Sequence, residues 1–274
     1  MRVLVTNDDG VHAPGITALA ARLWEAGHDV LVAAPVADVS GAGTGTGPQR
    51  RGAGEALACR HVMLDGLPHV AAYAIEALPA LCVTIACTGA FGPPPELVIS
   101  GVNRGRNVGR SVLHSGTVGA ALTAAQHGIC GIALSAQATR EPVHFDTAAA
   151  LGVALAEQVA AMRPPLVLNC NTPNRPLGEL AGVRLASIEP SEIVASSAIV
   201  DGTVQLRFAN DGALADPLSD EALTRAGYAT VTPLRTGAAD LCPRQHDELA
   251  RLLEAIGQAA ARAGRAVPAR LHLS

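Results

Sequence analysis

Residues 1–16 read MRVLVTNDDGVHAPGI, and this opening decides how the rest of the chain is interpreted. The short apolar run at 3–5 predicts a β-strand, and the acidic pair Asp8 and Asp9 with the glycine after it predicts a turn. A helical pattern begins at Pro14. In open α/β sheets, ligands bind just beyond the carboxyl ends of the strands. We therefore expect the first strand to carry two carboxylates into a binding site.

The chain continues as alternating strand and helix patterns, which indicate an α/β fold with a doubly wound, mainly parallel sheet. Strands are predicted at 28–34, 57–63, 69–76, 96–100, 130–134 and 165–169, and helices at 14–26, from Pro79 onward, at 115–127 and at 144–162.

The pattern changes after residue 183. Residues 184–209 alternate apolar and polar side chains around Asp201-Gly202, a hairpin signal. A helix at 220–226, a strand at 228–232 and a last helix at 243–263 are predicted to follow. We expect a core at 1–189 and, at 190–274, a hairpin extension and C-terminal segment that do not form an independent domain.

Composition excludes several classes of function. The 274 residues are 49% hydrophobic, carry a net charge of −4 and contain no lysine, which rules out a lysine Schiff base and a Walker-type phosphate lysine. The negative charge disfavours a nucleic-acid polymer as partner.

Six scattered cysteines without a Cys-x-x-Cys pair disfavour structural zinc. The first apolar run is too short for a signal peptide and no run is long enough to span a membrane, so we expect a soluble, cytoplasmic protein without a membrane partner.

Four oxygen-bearing side chains follow predicted strands at the same edge of the sheet. Asp8 and Asp9 follow the first strand, Ser40 follows the second, and Asn103 follows the strand at 96–100. Two carboxylates, a hydroxyl and an amide carbonyl suit Mg²⁺, Mn²⁺ or Ca²⁺ rather than zinc. The alternative is a turn and helix cap at the acidic pair, with ordinary loop residues at the other two positions.

A second group of residues has the character of an anion site. The loop NRGRNVGR at 103–110 brings glycines, which let backbone approach a ligand, and arginines, which bind phosphate. Ser115-Gly116-Thr117 then opens a helix whose free N–H groups attract anions. The alternative is a capped helix after a solvated basic loop. Phosphate next to a hard cation indicates metal-assisted phosphoryl chemistry, and His12 or His114 would be placed to orient or protonate a leaving group.

The glycine- and threonine-rich run at 41–47 resembles a dinucleotide loop only superficially. It follows the second strand and has no helix directly behind it. We interpret it as a substrate loop, and a dinucleotide-dependent oxidoreductase is a weak alternative because no Gly-x-Gly-x-x-Gly follows the first strand.

These residues resemble one known family, the survival-protein-E (SurE-like) 5′/3′-nucleotidases. The matching segments are VTNDDGVHAPGI (5–16), AAP and SG within 33–41, ELVISGVNRGRNVG (96–109), HSGTVGAAL (114–122), LNCNTP (168–173) and GYATVTPL (227–234). They run in the family's order over most of the chain.

The resemblance implies a Rossmann-like core with a β-hairpin extension and a C-terminal segment that assemble a homodimer or homotetramer. It implies hydrolysis of nucleoside monophosphates, and of short polyphosphate in some members. One divalent cation per subunit, Mg²⁺ or Mn²⁺, would be held by Asp8, Asp9, Ser40 and Asn103, with the two aspartates also catalytic. The residues expected to bind phosphate or substrate are Asn7, Gly41, Asn103, Gly105, Asn107, Ser115, Gly116 and Thr117.

The chain also departs from the family pattern. Where Gly-Thr-Pro-x-Asp-Cys is usual, residues 77–82 read ALPALC, and position 114 is His where Tyr is common. These changes keep a second hypothesis open, namely a nucleotide- or metal-binding homologue that has lost turnover.

Overall fold

A computed structural model describes residues 1–47, 56–138, 141–160, 162–163, 165–190, 194–208 and 214–235. The predicted C-terminal helix at 243–263 lies outside these ranges. The strands are β1 (Arg2–Thr6), β2 (Asp29–Pro35), β3 (Cys59–Val62), β4 (Ala71–Ile75), β5 (Leu97–Arg104), β6 (Cys130–Ala136), β7 (Val167–Thr172), β8 (Val183–Leu185), β9 (Val194–Val200), β10 (Thr203–Phe208) and β11 (Ala229–Leu234). The α-helices are α1 (Pro14–Glu25), α2 (Pro79–Cys87), α3 (Gly116–Gln126), α4 (Phe145–Val159) and α5 (Asp220–Arg225), with 3₁₀ helices at Gly109–His114 and Leu177–Glu179.

Nine strands form one sheet in the order β3-β4-β2-β1-β5-β6-β7-β11-β8. The six strands from β4 to β7 are parallel to their neighbours, whereas β3 is antiparallel to β4 and β11 is antiparallel to β7. This arrangement confirms the α/β fold with a mainly parallel sheet. Because β1 aligns with both β2 and β5, the residues that follow these three strands emerge at one edge.

The sheet is covered on both faces, which explains why its central strands read as continuous apolar runs. On one face α1 packs against α4, and on the other α2 packs against α3. Neighbouring residues of β1 point to opposite faces, so Val3 and Val5 join the largest core cluster and Leu4 joins a second one. All three side chains are fully buried.

Strand β5 is longer than the sequence pattern predicted. The prediction ended at residue 100, yet the strand continues to Arg104 and its register against β6 shifts between Ser100 and Asn103. Gly101 permits this irregularity because its φ is +133° and a Cβ there would lie 2.3 Å from the carbonyl oxygen of Leu134. As a result, Asn103 belongs to the end of a strand rather than to the following loop.

A separate two-stranded sheet is formed by β9 and β10, as the Asp201-Gly202 signal predicted. Asp201 has φ +50° and Gly202 has φ +76°, the paired positive values of a type I′ hairpin turn. Cross-strand neighbours Ile199 and Val204 are 78% and 61% exposed. In the described ranges, no helix is both long and apolar enough to cross a membrane.

Candidate metal and phosphate site

A cleft of about 230 Å³ opens at the carboxyl ends of β1, β2 and β5. All four residues expected to bind a cation line it. The lining residues are Asp8, Asp9, Ser40, Gly41, Asn103, Arg104, Asn107, Ser111, His114 and Ser115. The fold thus gathers side chains that lie up to about a hundred residues apart in the sequence.

The carboxylate of Asp8 is held from behind by the first turn of α3. Asp8 is only 3% exposed, and its Oδ1 accepts a hydrogen bond from the Thr117 hydroxyl at 2.5 Å. A Cβ added at Gly116 would lie 2.8 Å from Cβ and 2.9 Å from Oδ2 of Asp8. Thr117 is fully buried, so its hydroxyl orients the aspartate, and the glycine leaves the space that this aspartate needs.

Asp9 is a partly exposed carboxylate in an unfavourable electrostatic position. Burial and the neighbouring charge of Asp8 raise its pKa to about 6, although its Oδ2 accepts the backbone N–H of Arg104 at 3.2 Å. Like charges this close disfavour ionisation, and a cation between them would relieve that repulsion. The electrostatics of the acidic pair therefore fit a cation.

The two neutral residues present their oxygens in the form a cation requires. The Ser40 hydroxyl donates to Oδ1 of Asp38 at 2.6 Å, which leaves its lone pairs for a ligand and lowers the pKa of Asp38. The Asn103 amide nitrogen donates to the carbonyl oxygen of Gly105 at 2.9 Å, so its oxygen is the atom available to a metal. Within the described residues, no group of three or more His, Cys, Asp or Glu side chains is placed to hold a metal ion. The ligand set available in the cleft is therefore two carboxylates and neutral oxygens.

Asn7 shapes the acidic turn from beneath. The side chain is fully buried, and its amide nitrogen donates to the carbonyl oxygen of Gly10 at 2.8 Å. Gly10 has φ +97°, and a Cβ there would lie 3.1 Å from the backbone of Ala37. The adjacent backbone N–H of Val39 donates to the carbonyl oxygen of Asp8 at 2.8 Å. These contacts join the turn after β1 to the loop that carries Ser40.

Asn107 is fixed by three side chains from β6 and β7. Its backbone N–H donates to Oδ1 of Asn171 at 2.8 Å, and its carbonyl oxygen accepts from Asn169 at 2.8 Å and from Asn171 at 3.0 Å. Its own amide nitrogen donates to the Ser135 hydroxyl at 2.9 Å. The backbone of the glycine loop is therefore clamped where it passes the cleft.

The start of α3 is arranged to bind an anion, whereas two arginines of the preceding loop face carboxylates. The Ser115 hydroxyl accepts the N–H of Val118 at 3.1 Å and so caps α3. Helix geometry leaves the N–H groups of Gly116 and Thr117 without an intrahelical acceptor, which suits an anion. The guanidinium of Arg104 instead contacts Glu141, and that of Arg106 lies 3.9 Å from Glu221.

The two histidines lie in different places. His114 is exposed and lines the cleft, and its backbone oxygen accepts the N–H of Gly43 at 3.1 Å. His12 is exposed and is not among the lining residues. Of the two, the geometry retains His114 next to the expected phosphate position.

Comparison with known proteins agrees with this geometry. The model of the family described as "Survival protein SurE" matches residues 3–194. The chain belongs to the SurE family. It is 34% identical to the 5′-nucleotidase SurE of Clostridium tetani over 239 residues, covering 85% of this chain and 93% of the relative. It is 37% identical to that of Solidesulfovibrio magneticus over 257 residues, covering 88% and 93%.

A SurE structure gives the same fold. The crystal structure of the SurE protein from Aquifex aeolicus superimposes with a TM-score of 0.71 at 28% identity, covering 88% of this chain and 95% of that one. The resemblance noted in the sequence is confirmed, as is the α/β fold with a mainly parallel sheet and a hairpin.

Several residues that support the lining of this SurE-family cleft were not found by sequence reasoning. Asp38 was missed, although its position two residues before a serine is a recognisable turn signal. Asn169 and Asn171 were quoted as part of a matching segment without a role. Their spacing on a buried strand places two amides on one face, which is the signal that would have found them.

Proposed function

We propose that this SurE-family chain is a divalent-metal-dependent phosphomonoesterase that removes phosphate from nucleoside monophosphates, with short polyphosphate as a second substrate class. The observation that carries the proposal is the meeting of Asp8, Asp9, Ser40 and Asn103 in one cleft beside the start of α3. The curated relatives are described as 5′-nucleotidases, which supports the same substrate class.

The chain would hold one Mg²⁺ or Mn²⁺ per subunit through the carboxylates of Asp8 and Asp9, the Ser40 hydroxyl and the Asn103 amide oxygen. When bound, such a cation polarises a phosphate oxygen and makes a nearby water more acidic. Asp8, which accepts the Thr117 hydroxyl, serves as a fixed anionic ligand.

Asp9 and the start of α3 supply the protein's share of the chemistry. The Oδ2 atom of Asp9 accepts the Arg104 N–H, which orients this carboxylate to take the proton of the attacking water. The N–H groups of Gly116 and Thr117, together with the Asn103 side chain, stabilise the negative charge on the equatorial oxygens of the phosphoryl group. Gly41, Asn107 and Ser115 line the cleft beside this phosphate position, and the carbonyl oxygen of Gly105 holds the Asn103 side chain there.

We also propose that residues 1–189 form the catalytic core and that residues 190–274 extend it without forming an independent domain. Strand β11 supports the second part, because it pairs with β7 inside the main sheet after the hairpin. The extension therefore returns to the core.

The test is phosphate release from AMP with Mn²⁺, with Mg²⁺ and with a chelator, followed by a panel of nucleoside monophosphates and short polyphosphate. We expect metal-dependent release that Asp8→Asn abolishes. Asp65→Asn, an exposed acid in the turn between β3 and β4, is the matched control and keeps full activity. Binding of Mn²⁺ and AMP without any release of phosphate would contradict the proposal and favour the homologue that has lost turnover.

A further inference from the structure

Asp220 is a buried carboxylate that joins three separate segments of the chain. Its side chain is fully buried at the first position of α5. Oδ1 accepts the backbone N–H of Glu189 at 3.1 Å and that of Glu221 at 2.8 Å. The N–H of Gly109, 111 residues away, donates to Oδ2 at 3.1 Å and to Oδ1 at 3.3 Å. Sequence reasoning assigned this aspartate no role.

The contact with Gly109 reaches the wall of the cleft. Gly109 begins the 3₁₀ helix Gly109–His114, and Ser111, His114 and Ser115 from this segment line the cleft. Asn107 just before it is clamped by Asn171 and Ser135. The wall is therefore fixed at its beginning by side chains of β6 and β7 and by Asp220.

The other contacts of Asp220 reach the base of the β9–β10 hairpin. Glu189 precedes the hairpin, and its carboxylate accepts the N–H of Ala215, which follows it, at 3.0 Å. The backbone N–H of Asp220 donates to the carbonyl oxygen of Ser187 at 2.7 Å, and the Ser187 hydroxyl donates to Asp216. The segments entering and leaving the extension are thus tied together, and the Glu189 N–H at this junction donates to the same carboxylate that holds Gly109.

We propose that Asp220 is a positioning residue that holds the segment 107–115 in place for phosphate binding and links this wall of the cleft to the base of the hairpin. The inference rests on the proposed phosphatase function and deepens it. Asp220 contacts the wall but none of Asp8, Asp9, Ser40 and Asn103. Its loss should therefore weaken the binding of phosphate and leave the binding of the metal intact.

Asp220→Asn separates the two sets of contacts. An asparagine has one acceptor oxygen, and the N–H groups of Glu189 and Glu221 both approach Oδ1, so the oxygen remains on that side. The amide nitrogen then takes the place of Oδ2, so the shorter 3.1 Å hydrogen bond from the Gly109 N–H is lost and only the 3.3 Å contact with Oδ1 remains, without the negative charge. We expect KM for AMP and the inhibition constant of inorganic phosphate to rise about tenfold or more, the range of one charged hydrogen bond. The affinity for Mn²⁺ should stay within twofold.

The matched control is Thr224→Ala. The buried Thr224 hydroxyl donates to the backbone carbonyl oxygen of Asp220 at 2.6 Å, so its removal weakens α5 without changing what the carboxylate contacts. A purely structural effect lowers the fraction of folded enzyme, and hence kcat, while KM and phosphate inhibition stay constant. We expect that pattern for Thr224→Ala alone.

The outcome that overturns the inference is an Asp220→Asn variant whose KM and phosphate inhibition match those of the wild type. If that variant does not fold, Asp220→Glu replaces it, because this change keeps the charge and moves it by one methylene. Its KM for AMP and its inhibition by phosphate are compared with those of the wild type in the same way. If the wild type shows no turnover, titration calorimetry measures the affinity of the Mn²⁺-loaded wild type and variant for inorganic phosphate instead. The proposed function then fails, while the effect on phosphate affinity still decides the role of Asp220.

Discussion

At the scale of single residues, the cleft depends on side chains that orient the proposed metal ligands. The Thr117 hydroxyl bound to Asp8 is such a group, and partners of this kind contribute about 10- to 100-fold to metal affinity. We predict that Thr117→Val weakens Mn²⁺ binding by about that factor, and that Asp8→Asn weakens it further because an anionic ligand is lost.

Calorimetric titration with Mn²⁺ measures both variants. Thr123→Val is the control, since this buried threonine of α3 donates to the backbone oxygen of Gly119 and has no bond to Asp8. Wild-type affinity in both Thr117→Val and Asp8→Asn would show that the cation does not bind at Asp8.

The raised pKa of Asp9 gives the metal-free protein a pH dependence of known sign. Because its pKa is about 6 in the folded protein, against an ordinary value of 3.8, the folded state binds this proton more tightly than the unfolded state. The contribution of Asp9 to stability is complete below pH 4 and is lost as the pH rises through about 6. We predict that Asp9→Asn, which is neutral at every pH, raises the Tm at pH 7.5 in the presence of a chelator.

Thermal unfolding between pH 4 and pH 8 tests this prediction. The difference in Tm between Asp9→Asn and wild type should shrink toward zero at the acidic end. Saturating Mn²⁺ should reverse the order at pH 7.5, because only the wild type keeps its full ligand set. If Asp9→Asn were less stable than the wild type at pH 7.5 without metal, the raised pKa of Asp9 would be contradicted.

At the scale of elements, helix α3 lies closer to its neighbours than larger residues would allow. A Cβ at Gly119 would lie 2.0 Å from the carbonyl oxygen of Gly43, so the loop carrying Ser40 rests directly on this helix. Gly116 packs in the same way against Asp8. The small residues of α3 thus set the distance between the helix start and the acidic pair.

We predict that Gly116→Ala impairs Mn²⁺ binding and turnover together. The added Cβ would displace Asp8 itself, so the effect is not confined to phosphate binding. Overpacking of this kind costs about 1–3 kcal/mol. Gly178→Ala, where an added Cβ meets no atom within 4 Å, is the control. Normal Mn²⁺ affinity in Gly116→Ala, measured by calorimetry, would show that the packing of Gly116 against Asp8 does not affect metal binding.

At the scale of the whole molecule, the hairpin leaves apolar side chains in solvent. Ile199, Val204 and Leu206 are 78%, 61% and 53% exposed, and a two-stranded hairpin is marginally stable by itself. Exposed apolar patches of this kind mark interaction surfaces. We predict a homodimer or homotetramer in which the extension is buried between subunits.

Light scattering at micromolar concentration measures the assembly. We expect Ile199→Asp combined with Val204→Asp to yield monomers, since these two residues are paired across the hairpin. Deletion of residues 190–210 should yield monomers or insoluble protein. Gln205→Ala, an exposed polar residue of β10, is the control and keeps the wild-type mass. A monomeric full-length chain would show that this apolar surface does not assemble copies of the protein.

Local patterns in the sequence determined the elements of this protein. Apolar runs specified the buried strands, Pro14 and Pro79 marked the starts of α1 and α2, and Asp201-Gly202 predicted the hairpin turn. These signals are local because strand and helix periodicity and turn conformation depend on neighbouring residues. The acidic turn at Asp8 and Asp9 is local in the same sense, and so the position of the cleft at the end of β1 was predictable.

The tertiary structure alone decided which groups support that cleft. Thr117 lies 109 residues from Asp8 in sequence, and Asp220 lies 111 residues from Gly109. A strand was predicted at 228–232, but the place of β11 between β7 and β8 was not. Such contacts form only when distant segments pack, and the energy of that packing depends on the shape and hydrogen bonding of both partners, which no local pattern encodes.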